Sequence, residues 1–278
     1  MLAGLLPYIL LFALASCGES SLTSADDRDG GVSSSCSGTG DISGKVSDAS
    51  DGSAISDATV THVSSGDTDT TDGSGNYSFT GLSDGNHVFT FAQGTYTSQS
   101  VTVTIDCNET ANGNVSLLNA TLSTNKITIV LSWGTSPSDL DSHLYIPQTA
   151  SSTYHRYYAN KNTDTNIDAA PFSNLDYDHT GGTGPETITV RFQSSATDYP
   201  RTYRYFVNNY SHSNNGSNDH FKDSEAVVRV YKDGTLSNTF NVSTSDESNY
   251  WHVFDMSSNG TITSKNLYSD TIPDKIYE

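Results

Sequence analysis

TDGSGNYSF, from Thr71 to Phe79, decides how the first half of this chain is read. Gly73 and Gly75 suit a tight turn, because glycine adopts backbone angles that other residues avoid. Tyr77 and Phe79 lie two residues apart, so in an extended chain they share one face and can fill a core. A polar turn feeding an alternating aromatic run predicts a β-hairpin. Working outward, ISGKV (42–46), ATVTHV (58–63), YSFTGL (77–82), HVFTF (87–91) and SVTVTI (100–105) alternate apolar and polar residues. DGS, DGSGN and SDGN separate them with turn formers. No helical period of useful length appears, and the pattern predicts a small β-sandwich.

The order of these signals is more specific. Gly44-Lys45-Val46 precedes Ile55-Ser56-Asp57-Ala58-Thr59-Val60, with a small Ala58 where a strand packs closely on its partner sheet. The TDGSGNYSF turn and strand come next. Gly81-Leu82 and Gly85-Asn86-His87-Val88-Phe89 follow. This set resembles the carboxypeptidase regulatory-like domain, a transthyretin-like sandwich, over residues 40–118. One departure is Thr95, which stands between Gly94 and Tyr96 where the family has glycine directly before its aromatic. The resemblance implies a spacer or binding module without catalysis. It also makes Asp67, Asp69 and Asp72 a turn before a core strand rather than a metal site.

The remaining chain agrees with an all-β protein. Among 278 residues only 34% are hydrophobic, which suits sheets in which alternate residues are apolar. The net charge of -19 should repel nucleic acid and anionic lipid, so no nucleic-acid partner is expected. LLPYILLFALASC, ending at Cys17, has signal-peptide length and is too short to span a bilayer. Leu14-Ala15-Ser16-Cys17 resembles the bacterial lipobox, which implies signal peptide 1–16 and lipidation of Cys17. No Lys or Arg precedes the apolar run, and a cleaved signal with an incidental cysteine is the alternative. Residues 17–39 lack hydrophobic periodicity and read as a flexible tether. Gly18 and Glu19 follow Cys17, so an aspartate retention signal is absent and the membrane leaflet stays open. Cys36 and Cys107 remain as an even pair in an exported chain. A disulfide between them would close the first domain's ends and stabilise it by roughly 3–5 kcal/mol.

LLNATLSTNK (117–126) links to a second region. ITIVLSW, SHLYI, ETITVRF, RTYRYFVNNY, EAVVRVY, NTFNV and YWHVFDM predict a second β-sandwich over residues 127–268, with a polar tail at 269–278. Five motifs follow in order: WGTSPSDLDSHL (133–144), LDYD (175–178), GPETI (184–188), the Tyr-rich strand ending Tyr210-Ser211, and WHVF (251–254). They resemble the YfaP-like domain of exported bacterial proteins over about residues 127–266. That family implies a fold and a location more than an activity.

Carboxylates dominate the candidate chemistry here. In SDLDSHLYIP, Leu140, Leu144 and Ile146 occupy one face, and Asp139, Asp141, His143 and Tyr145 the other. Two carboxylates at i and i+2 repel unless solvent or a cation separates them. A water-wetted edge strand is the alternative. LDYDHTGGTGPETITV (175–190) invites comparison with the EF-hand loop. Asp176 and Asp178 match the first and third positions and Gly181 the turn, but Thr180 replaces a ligand and Glu186 falls one residue early. With strands flanking it, an EF-hand is rejected. The favoured arrangement gathers Asp139 and/or Asp141 with Asp176, Asp178 and Glu186 around one Ca2+. Gly181, Gly182 and Gly184 would let the backbone close over the ion. Asp176 and Asp178 capping turns is the competing reading.

Asp164, Asn166 and Asp168 form a weaker candidate, because Ala169 stands where the turn wants glycine. Zinc is disfavoured: His143, His155, His179, His212 and His252 lack paired spacing. Asp141 and Glu186 could form a glycosidase pair, whose carboxylate separation a sequence does not give. Tyr154, Tyr157, Tyr158, Tyr203, Tyr205, Tyr210, Tyr250 and Trp251 are expected to fill core edges, with sugar stacking as the alternative.

Together these readings predict a cell-envelope lipoprotein with two β-sandwiches on a tether. It would be exported and lipid-anchored on the periplasmic or cell-surface side. Its expected role is non-catalytic binding or adhesion with Ca2+ stiffening the second domain, and its expected partner is a polysaccharide or an envelope protein. The alternative is a carbohydrate-active or hydrolytic accessory protein using the Asp/Glu cluster.

Overall fold

Alternation of apolar and polar residues produces strands almost throughout the computed structural model, which describes residues 38–120, 125–149, 151–161, 167, 171–191 and 202–275. Cys17, Cys36, Asp164, Asn166 and Asp168 lie outside these residues. The N-terminal sandwich has two sheets. One joins β4 (Asn76–Ser83), β1 (Thr39–Asp48) and β7 (Thr110–Asn112), with β8 (Val115–Leu117) also on β1. The other runs β3 (Thr68–Thr70), β2 (Thr59–His62), β5 (Gly85–Ala92), β6 (Gln99–Ile105). All five strands read from the sequence form. The short β3, β7 and β8 are additional.

Tyr77 is buried and its hydroxyl donates to the Gly113 carbonyl at 2.6 Å. Phe79 packs against the same core, with ring centroids 6.3 Å from Tyr77. Gly75 sits at φ +83°, where any side chain would meet the Val46 carbonyl. Gly73 has open space instead, so the turn requires one glycine rather than two. Asp72 caps this turn by accepting from the amides of Ser74 and Asn76, both at 2.8 Å.

The second sandwich stacks two five-stranded antiparallel sheets. The first is β11 (Ser152–Arg156), β10 (Asp141–Thr149), β14 (Thr202–Asn208), β17 (Tyr250–Ser257), β18 (Ile262–Ser269). The second is β12 (Ser173–Tyr177), β13 (Glu186–Arg191), β9 (Lys126–Ser132), β15 (Val227–Lys232), β16 (Thr235–Asn241). Leu131, Leu144, Ile188, Val207, Val228 and Trp251 fill the space between them. A one-turn helix, α1 (Tyr210–Ser213), follows β14. β18 ends where the polar tail begins, and Arg204 donates to the Asp274 carbonyl within that tail at 2.8 Å.

Both sandwiches fall within one compact unit, Cys36–Glu278. Ala49, Leu118, Val130 and Tyr231 make a small apolar cluster between them. The Thr187 hydroxyl donates to the Ala49 carbonyl, and the Gln99 amide to the Tyr231 hydroxyl.

Candidate cation site

Three acidic side chains meet at one end of the second sandwich, and a fourth, Asp139, lies beside them. Each arrives from a different place in the fold. Asp139 lies in the loop before β10 and Asp141 opens β10. Asp178 comes directly after β12, and Glu186 opens β13 in the facing sheet. Carboxylate oxygens of Asp141, Asp178 and Glu186 lie within 4.8 Å of one another. Asp139 adjoins them and feels the charge of Asp178.

The local backbone is tied to hold these positions. The Ser211 hydroxyl accepts from the Asp139 amide at 2.9 Å, and the Ser211 amide donates back to the Asp139 carbonyl at 3.2 Å. The glycine turn folds over the same loop: Gly182 donates to the Ser138 carbonyl at 2.6 Å and Thr183 to that of Gly134 at 2.9 Å. Gly182 and Gly184 both have positive φ, and a side chain at Gly184 would meet the Trp133 ring. The Ser142 amide donates to Glu186 Oε2 at 2.5 Å, which bridges the two sheets directly.

Burial is nearly complete. Glu186 is 0% exposed, Asp141 2% and Asp139 9%. One oxygen of each acid, namely Asp139 Oδ1, Asp141 Oδ2, Asp178 Oδ1 and Glu186 Oε1, is buried with no donor from outside the cluster among the described residues. Such orphaned acceptors are costly, and more so for charged groups. Burial, then the Asp178 charge, pushes Asp139 up to about 6. Burial, then Asp139 and Asp178, pushes Asp141 up to about 8. Burial, then Asp141, holds Glu186 well above the usual carboxylate range. Without a cation, burial favours the protonated forms of Asp141 and Glu186.

Asp176 does not join this group, contrary to the expectation above. Leu175 pairs with Ile188 and Tyr177 with Thr187, so β12 advances two residues while β13 advances one. Asp176 is thus the extra residue of a β-bulge. The bulge breaks the alternation that would have placed Asp176 and Asp178 on one face. Asp176 faces a cavity of about 290 Å³ with Lys126, Thr187 and Thr189, and hydrogen-bonds to Thr189.

The donor set is all oxygen. His179 is close to Asp139, but its Nδ1 lies 3.2 Å from the Tyr177 hydroxyl and its Nε2 donates to the Gly182 carbonyl at 2.7 Å. Hard oxygen ligands of this kind suit Ca2+, which accepts irregular shells, better than Zn2+.

Sequence spacing misses one further feature. His143 and His155 come from adjacent strands and their ring nitrogens lie 2.8 Å apart. Tyr157 and Phe206 stack on His143. Only the register of the β10–β11 hairpin would have revealed this pair. Burial lowers both imidazoles, His143 well below its usual value and His155 to about 4. Of the aromatic set, Tyr203, Tyr205 and Trp251 are core residues, whereas Tyr154 and Tyr158 are exposed.

No curated protein matches the chain. Similar solved structures are distant. The protein SAV2460, of unknown function, is 15% identical with a TM-score of 0.40, over 54% of this chain and 93% of its own. A candidate carbohydrate-binding protein from Bacteroides uniformis is 12% identical with a TM-score of 0.24, over 73% and 97%. BcpA, the major pilin subunit of Bacillus cereus, is 12% identical with a TM-score of 0.24, over 84% and 94%. Residues 41–118, which make up the N-terminal sandwich, match the carboxypeptidase regulatory-like domain family.

Proposed function

We propose that the protein is a non-catalytic binding or adhesion module of the bacterial cell envelope. A Ca2+ ion held by Asp139, Asp141, Asp178 and Glu186 staples the two sheets of its second sandwich. The observation that carries the cation reading is the convergence of Asp141, Asp178 and Glu186, with Asp139 beside them, each with a buried oxygen that no donor outside the cluster reaches. A divalent ion answers both the repulsion among the acids and their missing partners.

A hydrolytic reading would pair Asp141 and Glu186 across a glycosidic bond. Their burial favours the structural role, because Glu186 has no exposed surface through which a sugar ring could reach it. The location rests on the lipobox-like Leu14–Cys17, and the YfaP-like reading of residues 127–266 on the motif order; a lipid at Cys17 would hold the chain at the membrane. A polysaccharide or another envelope protein is the partner class this reading expects. We also propose the Cys36–Cys107 disulfide. It is supported by Gly38, two residues after Cys36, whose carbonyl lies 3.5 Å from the Cys107 sulfur.

Thermal unfolding in EDTA and in added Ca2+ tests the cation. The reading expects a clear rise in melting temperature with Ca2+ that continues with the logarithm of its free concentration. Identical curves would remove the ion from the account.

A further inference from the structure

The four carboxylates have one paired basic side chain among the described residues. Lys161 forms an ion pair with Asp178 Oδ2, and its charge also reaches Asp141. Its own backbone is tied to β12, since its carbonyl accepts from the Leu175 amide at 3.0 Å in the middle of that strand. The side chain is not enclosed. Lys161 is 45% exposed, whereas the Asp178 side chain it meets is 9% exposed. The ammonium therefore enters the acidic cluster from the solvent side on a long flexible stem.

We infer that Lys161 is the resident counter-cation of this site, which holds Asp178 in the cation-free protein and swings to solvent when a divalent ion enters. This rests on the calcium reading above and names what sets the affinity of that site. An ammonium and a doubly charged ion within one carboxylate shell repel strongly in a partly buried setting. Lys161 can relieve that repulsion easily because half of it already meets water. The same charge has opposite effects in the two states. It stabilises the empty site by offsetting carboxylate repulsion, and it opposes filling by competing for Asp178.

This opposition separates the inference from a merely structural role. Calorimetric Ca2+ titration and thermal unfolding would be carried out on the wild type, Lys161→Gln and Lys161→Arg. The expected result is Ca2+ binding about tenfold tighter in K161Q, as removal of one nearby like charge requires, with K161R close to wild type. In EDTA, K161Q should melt below the wild type, and in saturating Ca2+ that deficit should vanish. If the wild type binds Ca2+ and K161Q binds equally or more weakly, the inference is overturned and the calcium reading survives. If the wild type shows neither binding heat nor a Ca2+-dependent melting shift, the calcium reading falls and this inference with it.

Discussion

Asp176 and Asp178 stand two residues apart, yet a single inserted residue sends them to opposite sides of their sheet. Side-chain alternation makes i and i+2 neighbours in a regular strand, and a bulge breaks that rule without leaving a mark in residue type. This is why Asp139, Asp141, Asp178 and Glu186 were legible as strand-end carboxylates while Asp176 was misplaced. The contrast supplies a test. Asp178→Asn should weaken Ca2+ binding at least about tenfold, because charge-assisted contacts are worth roughly 1.5–3 kcal/mol. Asp176→Asn, on the far face, should change it by no more than about twofold, as for an ordinary surface substitution. Calorimetry on the two variants measures both, and equal effects would place the ion elsewhere.

Strands with clear alternation were readable one by one, from β1 to β17. The short or polar ones, β3, β7, β8, β11, β12 and β18, were not. They lie mostly at sheet edges, where fewer positions need be apolar. β10 also runs on through Pro147 to Thr149, although proline normally ends a strand; the register shifts between Pro147 and Thr149, where a missing amide hydrogen is tolerated.

Cross-strand pairing builds a charged ladder on the outer face of the β14–β17–β18 sheet. Arg204 pairs with Asp255 at 3.1 Å, His252 reaches the same carboxylate at 2.8 Å and Lys265 at 3.2 Å. Burial alone would raise Asp255, but hydrogen bonds from His252 and Arg204 outweigh it and hold the carboxyl well below its usual range. A depressed folded-state pKa contributes stability above the unfolded value of about 4, and that stability is lost as pH falls below it. Asp255→Asn should therefore be less stable than wild type at neutral pH and show a shallower loss in acid. Urea midpoints across that range would check it, and parallel curves would count against the ladder. At the same scale, non-reducing mass analysis should find Cys36 and Cys107 joined; alkylation of both would refute the pairing.

At the scale of the whole molecule, a net charge of -19 sits on a scaffold with one small apolar junction between sandwiches. Composition made the all-β class legible, since so few residues are apolar. It could not show that four of the many carboxylates converge in a dry place, because convergence depends on which strands face each other. The lipid anchor is argued at this scale too. Cys17→Ser should release the protein from the membrane fraction, and unchanged fractionation would end that proposal. The central claim is that the acidic end of the second sandwich is a calcium site. A crystal structure grown with Ca2+ tests it most directly. The account predicts one ion about 2.3–2.6 Å from oxygens of Asp139, Asp141, Asp178 and Glu186, with Lys161 turned to solvent and Asp176 uninvolved. Carboxyl groups hydrogen-bonded to one another with no ion between them, at saturating Ca2+, would contradict it.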